Sequence, residues 1–380
     1  MKILHVCLAS HFTEGLTYQD NFLSDIHAKM EHDVLLISDT NVISGGRIKP
    51  APEEDRLLSN GVRLIRLEFD FILNAFISSK IKKVSGLKSI INNFKPDTIL
   101  FHGVVGWELL TVASYKRQNP TVKLYVDSHV DFNNSATNRL SYYLQYRLFN
   151  NLLVKSVRSV VDKFLYITSE SKDFLIECYG LSDDEMEYYP LGGIVFSDQE
   201  YVSKREKTRN KHSLSPEDIV FLQTGKFDTK KKLVESLMAF SRTNNENFRF
   251  YILGKILPEI QAEVKELIDS DPRISYLGWA NAETLADYLC ACDVYVQPGS
   301  QSATMQMSLC CRCAVVLQDV LSHRDIFCNN GWLINDAEDL VGVLSSIEKD
   351  PRQLSYMQEN SYDFATDNLD YRKLAQRVLM

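Results

Sequence analysis

The sequence predicts an α/β protein built from two doubly wound, Rossmann-like domains that face each other across a cleft. Short apolar runs of strand length alternate with amphipathic stretches of helix length. The alternation stops across a polar, charged stretch and then restarts, and 380 residues suffice for two full cores.

Residues 2–9, KILHVCLA, form a continuous apolar run of the kind a strand buried on both faces shows. His11, Thr13 and Glu14 follow at once, so the run is too short for a signal peptide. A helix begins near Thr17, because Tyr18, Phe22, Ile26 and Met30 recur every four positions with Leu23 beside them. Strands are expected at 34–37, 62–67, 98–101, 122–126 and 165–168. Between them lie an amphipathic region at 71–93, carrying Lys80, Lys82, Lys83 and Lys88, and a basic, aromatic helix across 139–163. Such a helix either lies on an anionic membrane or is a core helix with a solvated basic face, and both readings stay open. The first domain is expected to span 1–193, and 194–216, dense in Lys and Arg, reads as a linker. The second domain covers 217–365, with strands at 219–224, 248–253, 274–277, 294–297, 314–317 and 332–334. A C-terminal helix at about 366–380 is expected to return to the first domain.

A net charge of −8 argues against general nucleic-acid binding through a basic face. The eight cysteines lack the dense spacing of a secreted disulfide scaffold and read as reduced thiols, consistent with a cytoplasmic setting. Cys290/Cys292 and Cys310-Cys311-x-Cys313 invite a metal reading, but no nearby histidine completes a set, and small buried side chains are expected instead. The first βα turn carries only Gly15 and no G-x-G-x-x-G, so a nicotinamide or flavin dinucleotide lacks its main requirement.

Chemistry is expected where strands end. In Pro298 to Thr304 a polar turn of small residues (Gly299, Ser300, Gln301, Ser302, Ala303, Thr304) leads into a short helix, with Ser302 or Thr304 as its cap. Unpaired N–H groups there suit an anion. Gly225-Lys226-Phe227-Asp228-Thr229-Lys230-Lys231 supplies the basic counterpart, with Lys226 expected just past a strand end and Lys231 just before a helix. In the first domain His102 and His129 stand at consecutive strand ends, where open α/β sheets bind ligands, although each can equally cap a strand or satisfy a buried carbonyl.

These residues resemble the GT-B glycosyltransferases, and within them the retaining family 4. The resemblance runs over nearly the whole chain. It is carried by Gly225-Lys226-Phe227 with Lys231, by Tyr276-Leu277-Gly278-Trp279, by Ala291-Cys292-Asp293-Val294-Tyr295-Val296 with Pro298, and by Asp336-Ala337-Glu338-Asp339-Leu340. On the acceptor side Glu14-Gly15, Tyr18-Gln19-Asp20-Asn21 and the strand ends at His102 and His129 fit. One departure matters: the family usually has two glutamates with seven residues between them, and here they fall on Gly299 and Met307, with Gln306 alongside to offer its amide to a ribose.

The resemblance implies transfer of a sugar from a nucleoside diphosphate to an acceptor hydroxyl, with retention and without a metal or other cofactor. Lys226, Lys231 and the N–H groups near Ser300 to Thr304 would stabilise the leaving diphosphate. His129 would orient the donor sugar, Gly15 would let a loop approach the diphosphate, and Gly225 and Gln306 would complete the donor contacts. His102, Asp127 and Tyr18 are expected to touch the acceptor or support His129. A glycan or lipid-linked acceptor and a peripheral contact with the inner face of a membrane are the expected partners, in bacterial surface-polysaccharide assembly. Two other classes remain: a sugar-nucleotide epimerase, and an inactive sugar-nucleotide-binding partner subunit.

Overall fold

A computed structural model describes residues 1–44, 47–300 and 302–379. The chain divides into two compact units, Met1–Pro190 with Tyr371–Met380, and Leu191–Asp370. The first contains β1 (Lys2–Cys7), β2 (Asp33–Asp39), β3 (Asn41–Ser44), β4 (Arg47–Pro50), β5 (Glu54–Leu57), β6 (Arg63–Leu67), β7 (Thr98–His102), β8 (Lys123–Ser128), β9 (Lys163–Tyr166) and β10 (Met186–Tyr188). Its main sheet runs β10-β9-β8-β7-β1-β2-β6-β5, parallel except for β5 against β6, while β3 and β4 form a separate antiparallel hairpin. The second unit contains β11 (Ile219–Phe227), β12 (Phe248–Ile256), β13 (Ile274–Gly278), β14 (Val294–Gln297), β15 (Ala314–Gln318) and β16 (Gly331–Ile334), all parallel, in the order β13-β12-β11-β14-β15-β16.

Burial follows directly from the apolar runs. Along β11, Phe221 joins the core on one face of the sheet and Val220 and Leu222 the core on the other, so both faces are covered. In the first unit Leu4, Val6, Leu35, Ile37, Ile99, Phe101, Leu124 and Val126 line one core under the helices. Each sheet reverses its strand order once, between β1 and β7 and between β11 and β14, and ligands bind beyond the strand ends at such a point.

Several expectations are corrected. The stretch read as a linker is the helix Asp198–Lys211 of the second unit, opened by a Ser197/Glu200 capping box. Two of its basic residues are drawn inward: Arg205 and Arg209 both bond to Asp293, and Arg209 also donates to the carbonyls of Ser215 and Asp218. The region 71–93 breaks into Ala75–Ile81 and Leu87–Phe94, because Lys82 and Gly86 both take positive φ. Strands 62–67 and 165–168 begin at Arg63 and Lys163, and Thr168 instead caps the helix Ser169–Tyr179 through its side chain. The long helix stops at Val157 and is wound as a π-helix over Ser141–Asn150. The final helix, Tyr371–Arg377, belongs to the first unit, where Tyr189 donates to the Leu374 carbonyl at 2.8 Å.

Candidate functional site

In the second unit the reversal point joins the end of β11 to the turn after β14. β11 runs on to Phe227, so Lys226 lies within the strand rather than past its end, opposite Lys255 of β12, with its side chain exposed. The glycines explain how the backbones meet. A Cβ on Gly254 would stand 1.9 Å from the Gly225 carbonyl oxygen, and one on Gly299 would stand 2.1 Å from that of Lys230. The turn at 298–300 is therefore laid against the lysine turn, and Ser300 donates its N–H to the Lys230 carbonyl at 3.0 Å.

Lys231 ends the short 3₁₀ turn Thr229–Lys231, which Asp228 caps by accepting from the Lys231 N–H. Its ammonium donates to the Ser300 carbonyl at 2.9 Å, and Gln223 donates to the Lys231 carbonyl at 2.8 Å. Burial lowers the Lys231 pKa, and Asp228 opposes that in part. A cation of low mobility is thus held beside exposed Ser300, where an anion would gain from it. The helix that follows is Thr304–Cys310 with Ala303 at its cap position, and neither expected side-chain cap closes it in the usual way. Ser302 Oγ accepts from the Thr304 N–H at 3.3 Å. Gln301 lies outside the described residues. Gln306 is 4% exposed, and its Oε1 has no hydrogen-bond partner among the described residues, a costly arrangement for a buried acceptor.

In the first unit the strand ends carry an array of imidazoles. His102 Nδ1 stands 2.5 Å from Asp127 Oδ2, and Gly103 donates its N–H to Asp127 Oδ1 at 2.8 Å. His129, 40% exposed, has Nε2 at 3.6 Å from the same Oδ1. His102 and Asp127 are each 4% exposed, which suits support of His129 and not contact with an acceptor. Behind them His5 and His27, both fully buried, extend the array, with His102 Nε2 to His5 Nδ1 at 3.0 Å and His5 Nε2 to His27 Nδ1 at 3.0 Å. Burial and the neighbouring imidazoles push the His5 pKa well down, and burial takes His27 down to about 4. Burial lowers His102 too, but the charge and hydrogen bond of Asp127 outweigh it and the pKa rises. Burial raises Asp127, yet His102 and His129 together hold its carboxyl well below the usual carboxylate range.

His5 and His27 escaped the sequence reading. Their signals were a polar residue inside an otherwise apolar strand run and a histidine four positions after Leu23 on the apolar face of a helix. Lys82 was also missed as a buried group: its Nζ donates to the Leu8 carbonyl at 3.2 Å, and burial lowers its pKa. Gly15 is exposed at φ +78° with open space around a would-be Cβ, and Tyr18, 45% exposed, precedes the helix Gln19–Lys29 without a side-chain cap bond to it. The cysteines are free and mostly buried, with Cys292 and Cys313 Sγ 3.1 Å apart.

Residues 204–364 match the family model for glycosyl transferases group 1, and the match falls wholly within the second unit. The second unit is thus similar to a glycosyl transferases group 1 domain. Solved structures with the GT-B fold align over both units. Sucrose-phosphate synthase from Thermosynechococcus elongatus is 15% identical, with a TM-score of 0.68 over 99% of this chain and 96% of that one. HepE from Anabaena, solved in complex with UDP, is 14% identical, with a TM-score of 0.68 over 100% of this chain and 98% of that one. WaaG, a glycosyltransferase involved in lipopolysaccharide biosynthesis, is 14% identical, with a TM-score of 0.60 and 98% of each chain covered. At such identities the likeness is one of fold. No curated protein sequence matches the chain.

Proposed function

We propose that the chain is a glycosyltransferase that moves a hexose from a nucleoside diphosphate to an acceptor hydroxyl, retaining the anomeric configuration, with lysines in the place a metal ion takes in other transferases. The observation that carries the reading is the Lys231 ammonium fixed against Ser300, at the strand-order reversal of the second unit. As the anomeric C–O bond breaks, the electron pair passes to the diphosphate, and Lys231, exposed Lys226 and the N–H groups following Ser300 stabilise that charge. The acceptor hydroxyl forms the new bond to the anomeric carbon and gives up its proton to the departing diphosphate oxygen. His129, oriented through Asp127 and His102, is assigned to the donor sugar. Gln306 is assigned to the ribose, whose hydroxyls can donate to its unpartnered oxygen. UDP is the first nucleotide to try, since HepE was solved with UDP and with UDP-glucose. The role of WaaG in lipopolysaccharide biosynthesis supports a setting in surface-glycan assembly.

The test is calorimetric titration with UDP, GDP, ADP and their sugar conjugates, on the wild-type protein and on Lys231→Ala. A micromolar response to one nucleotide that the variant loses supports the reading. Silence toward all of them overturns it and favours an inactive relative.

A peripheral membrane contact is part of the proposal, on a revised basis. Leu140, Tyr143, Leu144, Leu148 and Leu152 are each more than half exposed along one side of the helical stretch, while Tyr146, Leu153, Val154 and Val157 are buried. The exposed face is thus apolar where a basic one was expected. Arg147 and Arg158 are engaged with Glu177 and Glu185 of their own unit. Among the described residues no helix is long and apolar enough to cross a membrane. Flotation with liposomes checks this: Leu144→Glu with Leu148→Glu is expected to abolish it, and unchanged flotation removes the contact from the proposal.

A further inference from the structure

The buried imidazoles of the first unit can be counted proton by proton. At one end His27 Nε2 stands 3.0 Å from the Ala375 carbonyl, one of the last-turn carbonyls that a helix leaves without a partner. A carbonyl only accepts, so this nitrogen carries hydrogen. At the other end His102 Nδ1 meets the Asp127 carboxylate. Between these ends lie two further ring-to-ring contacts of 3.0 Å, so four contacts join one carbonyl, three imidazoles and one carboxylate. Each contact needs one hydrogen, and three neutral imidazoles bring three. With only three, two bare acceptors must face each other somewhere in a fully buried chain, at the cost of an unsatisfied polar group.

We propose that His5, His27 and His102 all carry hydrogen on Nε2, that a fourth proton sits in the contact between His102 and Asp127, and that His5 and His27 are positioning residues for the strand end bearing His129. The array then has no net buried charge, because an imidazolium and a carboxylate neutralise each other. His102 is the ring raised in pKa and Asp127 the acid depressed, while His5 and His27 stay neutral. The other titratable groups acting on it are Asp20 toward His102, His32 toward His27, Tyr189 and Cys7 toward Asp127, and His129 at the exposed end. Through His27 the array ties the chain's last helix to the candidate site. The assignment of His129 to the sugar rests on the function proposed above; the proton count does not.

The experiment is long-range nitrogen–proton NMR of the full-length protein with ¹⁵N-labelled histidine, at pH 7.5. Wild type is expected to show Nε2–H on all three rings. His27→Gln keeps one donor for Ala375 and one acceptor for His5, and is expected to leave the pattern unchanged. His27→Leu leaves two contacts for two rings, the fourth proton is no longer required, and His5 is expected to switch to the Nδ1–H form. A bare Nε2 on any of the three wild-type rings overturns the count, as does a His5 form that is the same in both variants. If sugar transfer is also measured, His27→Leu is expected to lower kcat about tenfold with donor KM unchanged, and His27→Gln to match wild type. Loss of nucleotide binding in wild type would sink the proposed function while leaving the NMR result standing.

Discussion

The two units share one strand order around the reversal point and place opposite chemistry there. In the second unit the strand ends offer cations and backbone at an accessible edge: Lys226 exposed, Ser300 exposed, Lys231 held between Asp228 and Ser300. In the first unit the polar groups are withdrawn, and of the array only His129 reaches solvent appreciably, with His5, His27, His102 and Asp127 buried behind it. A shared topology fixes where a site can form, and the few residues at the strand ends decide what it can do. One edge is suited to stabilising charge that appears during a reaction. The other is suited to holding a ring in place.

The sharpest way to break this comparison is to remove the charge from the second unit. Lys231→Ala takes away a fixed cation, and kcat/KM for transfer is expected to fall at least about 100-fold, roughly 3 kcal/mol. The fold should survive, since Lys231 is a turn residue whose ammonium bonds to the Ser300 carbonyl rather than to a core group. A loss of less than about fivefold, in initial rates at saturating acceptor, would return Lys231 to the role of a loop fastener. Next comes the close approach itself. Gly299→Ala drives a Cβ into the Lys230 carbonyl and parts the two turns, so about 2 kcal/mol of stability is expected to go, together with nucleotide binding. Urea unfolding and calorimetry on the same preparation check both, and a variant as stable as wild type that still binds would show that the turns need not touch.

The first unit is tested through pH. The His27 pKa is about 4 when folded and about 6.5 when unfolded. Below pH 6.5 the unfolded chain therefore binds a proton that the folded chain refuses, and stability falls as pH drops toward 4. The full contribution is about 3 kcal/mol. His5 acts in the same direction, whereas His102, raised when folded, adds stability below pH 6.5 that is lost as pH climbs through its folded value. His27→Gln cannot titrate, so its urea midpoint should drop less than that of wild type between pH 7.5 and pH 5. Equal drops would mean that His27 is not held neutral. The lysine edge of the second unit should leave this acid limb untouched, which Lys231→Ala verifies.

How much of this was legible depended on whether a signal was local. The alternation of apolar runs and amphipathic helices placed nearly all the parallel strands, because burial on both faces leaves a continuous apolar run wherever the sheet is central. The short edge strand β5, the hairpin β3–β4 and β10 went unread: they are brief, and β4 and most of β5 are exposed, so little burial marks them. The linker reading failed at Arg205 and Arg209, because density of charge does not reveal a partner 80 or more residues away at Asp293. In the site, Lys231 with the turn after Pro298 could be read from motif order. The links from His102 to His5 and from His5 to His27 could not, since they join β1, β7 and a helix, and only the folded register brings them together.

The smallest expected effect sharpens a position where this chain departs from the pattern of the family it resembles. Where the second of two spaced glutamates is expected, Met307 stands, and the buried neighbour Gln306 keeps an unpartnered Oε1. A glutamate would accept from both ribose hydroxyls with full charge, whereas an amide oxygen accepts as a neutral group and contributes about 1 kcal/mol. Gln306→Ala is therefore expected to weaken UDP about fivefold, and to leave the unfolding midpoint unchanged or slightly raised, because it removes a buried acceptor that nothing satisfies. The decisive control is 2′-deoxy-UDP. If Gln306 holds the ribose, wild type should prefer UDP over the deoxy compound and the variant should bind the two alike. A variant that weakens both ligands equally would place Gln306 in the support of the helix Thr304–Cys310, and the ribose contact would have to be sought on the turn that precedes it.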